Sequence, residues 1–238
     1  MYKMEERIRY SECGADNALK LSSLINYFQD CTTENSEQLG VGHSYLVEKH
    51  RAWILNSWQV EIMRRPKVHE EVEVSTWATG FKGVLGPRDF CMKTRDGEVL
   101  AYAHSLWVYL DTESGRPTKP EIEEIEKYSV GDPLPMESVS RKIKEPEGAI
   151  WVDTFPVHKY HIDTNNHVNN SKYIELACEA LPDEFEVKKL RVEYKKAAVL
   201  GNTMTLMREV EEERIVAQLC DEDGNAYAIV EFIGEMKE

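Results

Sequence analysis

Apolar residues recur along this chain with two periods, and the switches between them divide it into elements. Leu21, Leu24, Ile25 and Phe28 fall at i, i+3, i+4 and i+7, the spacing of one helix face. Asp16 or Asn17 can cap the start of this helix, and Gly40 and Gly42 follow its expected end. Beyond it the period drops to two, with Ile54, Trp58, Val60 and Ile62 on one strand face. Strands are predicted over about 52–65, 69–80, 87–96 and 98–110. The order then repeats. Tyr173, Leu176, Ala177 and Ala180 form a second helical stripe, stopped by Pro182. Strands follow over about 186–197, 202–211, 213–221 and 225–234.

Between the halves the periodicity fades and five of the nine prolines gather: Pro117, Pro120, Pro133, Pro135 and Pro146. Residues 112–150 read as a connection, with one short acidic helical turn within Glu121–Lys127. The expected organisation is therefore a domain over 1–111, a linker over 112–150 and a domain over 151–238. The flanking parts share spelling as well as order. Val60-Glu61-Ile62-Met63-Arg64-Arg65-Pro66-Lys67-Val68 aligns with Val192-Glu193-Tyr194-Lys195-Lys196-Ala197-Ala198-Val199-Leu200 at a shift of 132 residues. Asp96-Gly97 and Asp223-Gly224 each mark a hairpin turn near the end of their half. An antiparallel meander with one apolar face must cover that face, and one helix can do so. The predicted fold is α+β: two tandem hotdog domains, each a curved antiparallel sheet wrapped around a central helix.

Composition narrows the function. The 29 basic and 43 acidic residues leave a net charge of −14, which argues against a nucleic-acid binder. No segment reaches the ~20 apolar residues of a membrane span. The opening, Met1 to Arg7, carries acidic residues where a signal peptide has its apolar stretch. The five cysteines, at 13, 31, 91, 178 and 220, show no paired spacing. Together these features lead us to expect a reduced, cytoplasmic protein.

The densest polar cluster runs from His158 to Tyr173, between a strand and the second helix. Asp163, Asn165 and His167 alternate, so an extended segment would point all three to one side. A carboxylate, an amide and an imidazole so placed can orient and activate a water. The backbone N–H groups of Val168 and Asn169, at the helix start, can stabilise an oxyanion. Asn169, Asn170 or Ser171 can equally be simple helix caps.

The spelling Asp163-x-Asn165-x-His167-Val168-Asn169-Asn170-x-Lys172-Tyr173 resembles the signature of acyl-acyl carrier protein (acyl-ACP) thioesterases. Glu193-Tyr194-Lys195-Lys196 resembles that family's Glu-Tyr-Arg-Arg element. The resemblance covers nearly the whole chain. It implies hydrolysis of a fatty acyl thioester, with Asp163 or His167 as general base on a water and Asn165 positioning that water or its partner. It implies no cofactor and no metal. Plant members continue with Glu-Cys where Ala197 and Ala198 stand here, so a cysteine mechanism does not carry over. Cys178 and Cys220 are expected to be buried, inert thiols. Aligning Leu24 with Tyr173 sets Ala18 opposite His167, which makes the first half a binding and scaffolding half with one active site per chain. Trp53, Trp58, Trp77, Phe81, Phe90 and Trp107 either wall an acyl tunnel beside its helix or are ordinary core residues.

Three rival readings stand beside this one: a metal held by His158, His161, Asp163 and His167, an acyl-CoA thioesterase, and a non-catalytic acyl-thioester sensor. The partner implied by the resemblance is an acyl carrier protein. Such carriers are acidic, so docking on a chain of net charge −14 needs a local basic patch. Lys189, Arg191 and Lys195 share one strand face, and Arg64, Arg65 and Lys67 form a matching patch in the first half. A solvated strand face is the plainer reading of both. The chain is expected to be a monomer or a homodimer.

Overall fold

A computed structural model describes residues 1–237 and divides the chain into two compact units. Met1–Asn56 and Met63–Ser138 form the first. Ser57–Ile62 and the chain from Val139 onward form the second. In chain order the elements are β1 (Tyr2–Arg7), α1 (Leu21–Gln38), α2 (His43–Glu48), β2 (Arg51–Ile62), β3 (Glu71–Ala78), β4 (Leu85–Thr94), β5 (Val99–Asp111), β6 (Arg116–Pro117) and α3 (Ile122–Ile125). They continue with β7 (Ile150–Pro156), α4 (Asn170–Ala177), β8 (Phe185–Tyr194), β9 (Thr203–Val210), β10 (Arg214–Cys220) and β11 (Ala226–Met236). The eight predicted strands are all present, as is the strand preceding the polar cluster.

In the first unit the antiparallel order is β1-β3-β4-β5, with β6 paired to β5. Helix α1 packs on β3 and β1. Its stripe buries Leu24, Ile25 and Phe28, and the Phe28 and Phe90 rings lie 5.2 Å apart. Gly40, at φ 67°, ends the helix in the left-handed conformation that suits glycine. The expected caps do not cap it. Lys20 is the N-cap, and Asp16 Oδ1 instead accepts the Ala18 N–H at 3.1 Å, closing a turn before the helix. Strand β1 was not anticipated. Four of its six residues are charged, and only every second one is half-buried, so its alternation lacks apolar contrast.

Part of the proline-rich connection belongs to this unit. The Gly131 N–H donates to Ala78 O, and Trp77 Nε1 donates to Asp132 O at 2.9 Å. Buried Asp89 accepts the Leu134 N–H and faces His104 Nδ1, both at 2.6 Å. These bonds hold residues 131–134 against one face of β3 and β4.

In the second unit the order is β2 (Ser57–Ile62), β8, β11, β10, β9 and β7, all antiparallel. The shorter helix α4 packs on β10 and β11 and buries Tyr173, Ile174 and Ala177. Both Asp-Gly pairs are hairpin turns, with Gly97 at φ 93° and Gly224 at φ 83°. Residues 140–145 lie over one face of β8. Arg191 donates to Ser140 O at 2.6 Å, Glu193 accepts the Ile143 N–H at 2.9 Å, and Ile143 packs with Val216, Ala226 and Ile229.

One charge cluster is central to this unit. Glu231, 4% exposed, is paired with Arg191 and accepts from Arg214 Nε at 2.7 Å. Removing one member of a buried pair leaves the others desolvated and uncompensated, which costs about 3–5 kcal/mol. Glu231→Gln is expected to lower unfolding free energy by about 3 kcal/mol, measured by urea denaturation. Loss below about 1 kcal/mol would show that the guanidinium groups find other partners.

Candidate active site

Residues 158–173 fold as a short 3₁₀ turn, a tight hairpin and the start of α4. The His158 N–H donates to Nδ1 of His161 at 3.1 Å, across the turn Lys159–His161. The hairpin is closed by a bridge between Ile162 and Val168. Inside it the Asp163 N–H donates to His167 O at 2.8 Å, and the Asn166 N–H to Asp163 O at 3.1 Å. Asp163 Oδ1 accepts the Asn165 N–H at 2.8 Å. Asn166, at φ 62°, supplies the left-handed residue, a conformation asparagine tolerates better than most.

This geometry corrects the expected extended segment. Asp163, Asn165 and His167 do not alternate along a strand; the turn folds the backbone of Asp163 onto that of His167. Polar and turn-forming composition favours exactly such a reversal over a strand. Asp163 is partly buried, whereas Asn165 and His167 are exposed.

The two expected oxyanion donors are also corrected. The Val168 N–H donates to Ala198 O and the Asn169 N–H to His161 O, both at 2.9 Å. Both amides are therefore spent on holding the hairpin, as buried backbone donors must be. Asn169 is the helix cap: its Oδ1 accepts the Ser171 N–H at 2.9 Å and the Ser171 hydroxyl at 2.8 Å.

Two tyrosines tie the helix to neighbouring backbone. The Ala198 N–H donates to Tyr173 Oη at 2.8 Å, and Tyr194 Oη donates to Asn170 O at 3.0 Å. The two rings meet edge to face with centroids 5.8 Å apart. Burial pushes the Tyr173 phenol up to about 12, and the Asp163 carboxylate adds to that shift. Ala198 is fully buried and Ala197 exposed.

The first unit contains the same local structure. The Gly14 N–H donates to Ala18 O at 2.9 Å, the Asn17 N–H to Gly14 O at 3.0 Å, and Cys13 bridges to Leu19. Asn17 is left-handed at φ 58°. The Leu19 N–H donates to Pro66 O and the Lys20 N–H to Glu12 O. Gly14, Asp16 and Ala18 thus occupy the places of Asp163, Asn165 and His167, 149 residues apart. The hairpin is repeated, and its carboxylate and imidazole are not.

The expected docking cations are not an open patch. Arg191 is paired with Glu231, Lys195 with Glu145, and Lys189 with Glu61 at 3.5 Å. Arg64 pairs with Glu70 and Glu98 at 2.8 and 2.6 Å, and Arg65 pairs with Asp16. Most of these partners are distant in sequence, and Glu70 lies six residues on from Arg64 in the loop before β3; strand-face parity reveals neither. Of the aromatics, Phe90 faces α1, whereas the indoles of Trp77 and Trp107 bond Asp132 O and Ser105 Oγ. Trp53 packs on Tyr109 and Phe81, with centroids 4.7 and 6.1 Å away, and Trp58 is buried. Cys220 is buried and its thiol pushed up by that burial, whereas Cys178 is only partly buried. Among the described residues no group of three or more His, Cys, Asp or Glu side chains could hold a metal ion. No helix among them is long and apolar enough to cross a membrane.

His161, weighed in the sequence only as a metal ligand, has a structural part in the turn before the hairpin. It is buried, and desolvation, with His158 and Lys172 nearby, lowers its affinity for a proton. The unfolded chain protonates this imidazole below about pH 6.5, whereas the folded chain resists. Its contribution is therefore complete above that value and lost as pH falls. Thermal midpoints of the parent are expected to drop as pH falls below about 6.5. His161→Gln, which keeps an acceptor for His158, should drop less; parallel curves would assign the slope to other groups.

Comparison with known proteins adds to this geometry. Residues 1–128 match the family model described as the acyl-ACP thioesterase N-terminal domain, and residues 144–231 match the acyl-ACP thioesterase C-terminal domain. The chain is 27% identical over 215 residues to a chloroplastic palmitoyl-acyl carrier protein thioesterase of Cuphea hookeriana, an alignment covering 82% of this chain and 51% of the relative. It is 26% identical to a chloroplastic dodecanoyl-[acyl-carrier-protein] hydrolase of Cinnamomum camphora, covering 85% and 58%. The chain spans about half the length of the curated relatives it matches. Among solved structures, an acyl-ACP thioesterase from Bacteroides thetaiotaomicron superposes with a TM-score of 0.91 at 22% identity, covering 98% and 97% of the two chains. The 12:0-ACP thioesterase from Umbellularia californica gives 0.88 at 21% identity, covering 99% and 97%. These likenesses show the tandem hotdog fold.

Proposed function

The chain belongs to the acyl-ACP thioesterase family, and from that premise we propose that it hydrolyses fatty acyl-ACP thioesters to a free fatty acid and the carrier's thiol. The observation that carries the proposal is the Asp163–His167 hairpin, which is repeated in the first unit without its carboxylate and imidazole. The second unit is then the catalytic one. The first serves binding and scaffolding, so each chain has one active site.

His167, exposed at the end of the hairpin, takes a proton from water as the water attacks the thioester carbon. Asp163, one oxygen of which is already committed to the Asn165 N–H, orients the imidazole and balances its positive charge. Asn165 positions the water. The tetrahedral intermediate collapses by breaking the C–S bond, and the departing sulfur takes the proton back from His167. With Val168 and Asn169 N–H groups already engaged, stabilisation of the oxyanion falls to other groups.

The carrier reading rests on the family alone, because the cations proposed for docking are neutralised within the chain. Hydrolysis is therefore to be measured on matched acyl-ACP and acyl-CoA substrates. The expected outcome is turnover of acyl-ACP that falls about 10²–10⁴-fold in both His167→Ala and Asp163→Ala. Preference for the CoA ester would reassign the substrate class. Tight acyl binding without turnover would favour a sensor.

A further inference from the structure

The two hairpins are tethered alike but not braced alike, and the duplicated architecture shows where they differ. In both units the residue that follows the hairpin's last position donates its N–H to a carbonyl in the loop after the strand that follows the helical segment. The pairs are Val168 to Ala198 O and Leu19 to Pro66 O. Ala198 and Pro66 are equivalent places, 132 residues apart, in the repeated segment. The fold thus builds this tether twice.

Only the second unit braces it. The Ala198 N–H donates to Tyr173 Oη at 2.8 Å, with both residues buried. In the first unit both ends of that bond are missing: Leu24 stands at the tyrosine's place without a hydroxyl, and Pro66 has no N–H to donate. The bond is therefore dispensable to the hotdog architecture, which forms without it. It is present in the half that carries Asp163 and His167. A buried phenol that accepts a backbone N–H fixes both its own ring and the loop it meets.

We infer that Tyr173 is a positioning residue for the active site, acting through Ala198 and the Val168 N–H to fix the backbone that carries His167. This inference rests on the proposed hydrolysis for its catalytic consequence, but not for its geometry. The hydroxyl reaches the Ala198 amide, the same residue's carbonyl holds the Val168 amide, and Val168 follows His167 directly in the chain. The chain of contacts is short: the Ala198 N–H and C=O flank a single Cα, and the Val168 N–H shares its planar peptide unit with the His167 carbonyl. A misplacement of about 1 Å in a catalytic group can cost about a hundredfold in rate.

The test uses Tyr173→Phe, Ala198→Pro and their combination in the full chain. Tyr27→Phe serves as a control that removes another buried hydroxyl bond, to Glu12, in the first unit. Amide hydrogen exchange of Val168 reads the tether without reference to activity. It is expected to speed up about tenfold or more in Tyr173→Phe while the Leu19 amide is unchanged. The kcat for acyl-ACP is expected to fall about tenfold to a hundredfold with KM within about twofold, and Tyr27→Phe to keep both. Ala198→Pro removes the donor instead of the acceptor, so the double variant should be no worse than either single one. If Ala198→Pro does not fold, Tyr173→Phe decides alone. Unchanged Val168 exchange, or kcat retained in Tyr173→Phe, overturns the inference. A parent that hydrolyses no thioester overturns the proposed function, and the exchange measurement then decides this inference by itself.

Discussion

A backbone N–H buried at the junction of a hairpin and a helix must find a partner, and in this chain the partner is fixed by the fold. The Val168 amide donates to Ala198 O, and its counterpart Leu19 donates to Pro66 O. Each bond joins the segment entering the helix to the loop leaving the adjoining strand. Helix placement, hairpin closure and strand end are thereby coupled at one peptide group. The side chains at the hairpin are then presented at a set place relative to the sheet, whatever their identity. Chemistry becomes a matter of which residues occupy the turn, because the turn itself is supplied in both units.

That separation of frame from content explains how one repeated hairpin can carry Asp163 and His167 and its counterpart neither. Asn17 and Asn166 are both left-handed, and the turn around each closes with the same two hydrogen bonds. Glu12 and His161 each accept the N–H three residues earlier, from Arg9 and His158, so a carboxylate and an imidazole do the same capping work. Against that shared frame, Gly14 and Ala18 replace Asp163 and His167. The lengths of the helical segments differ too. The shift between halves is 149 residues at the hairpin and 132 at the following strand, because α1 and α2 occupy more chain than α4. Insertion within the helical region leaves the hairpin tether intact, since its two ends belong to elements outside that region.

The strands were legible in the sequence because a half-buried sheet writes its period directly into the apolar pattern, and Asp-Gly pairs announce their turns. Strand β1 was not, since Lys3, Glu5, Glu6 and Arg7 mask its alternation. The site was legible as a cluster and as a motif, but not as a shape. Alternating polar residues suit a strand and a turn alike, and the hydrogen bond from Asp163 to His167 that decides between them is a property of the folded backbone. The same holds for charge. Arg191 and Glu231 lie on adjacent strands forty residues apart in the chain, and Arg65 meets Asp16 from forty-nine residues away. Parity places cations on a face, but it does not say which carboxylates already occupy that face.

The content of Ala198 also constrains the chemistry. A side chain at this place sits next to the Tyr173 hydroxyl and one hydrogen bond from the residue after His167. Here that side chain is a buried methyl group, so the position can supply backbone donors and acceptors but no nucleophile. Thiols elsewhere do not replace it. Cys220 is buried with its thiol pushed up, Cys31 is pushed up to about 12, and Cys91 is raised by burial as well. Cys13 lies in the first unit, its thiol raised as well. Cys178 follows the last residue of α4, about 12 Å along the helix axis from its start. With a methyl group as its side chain, the backbone tether that Ala198 provides becomes the position's whole contribution.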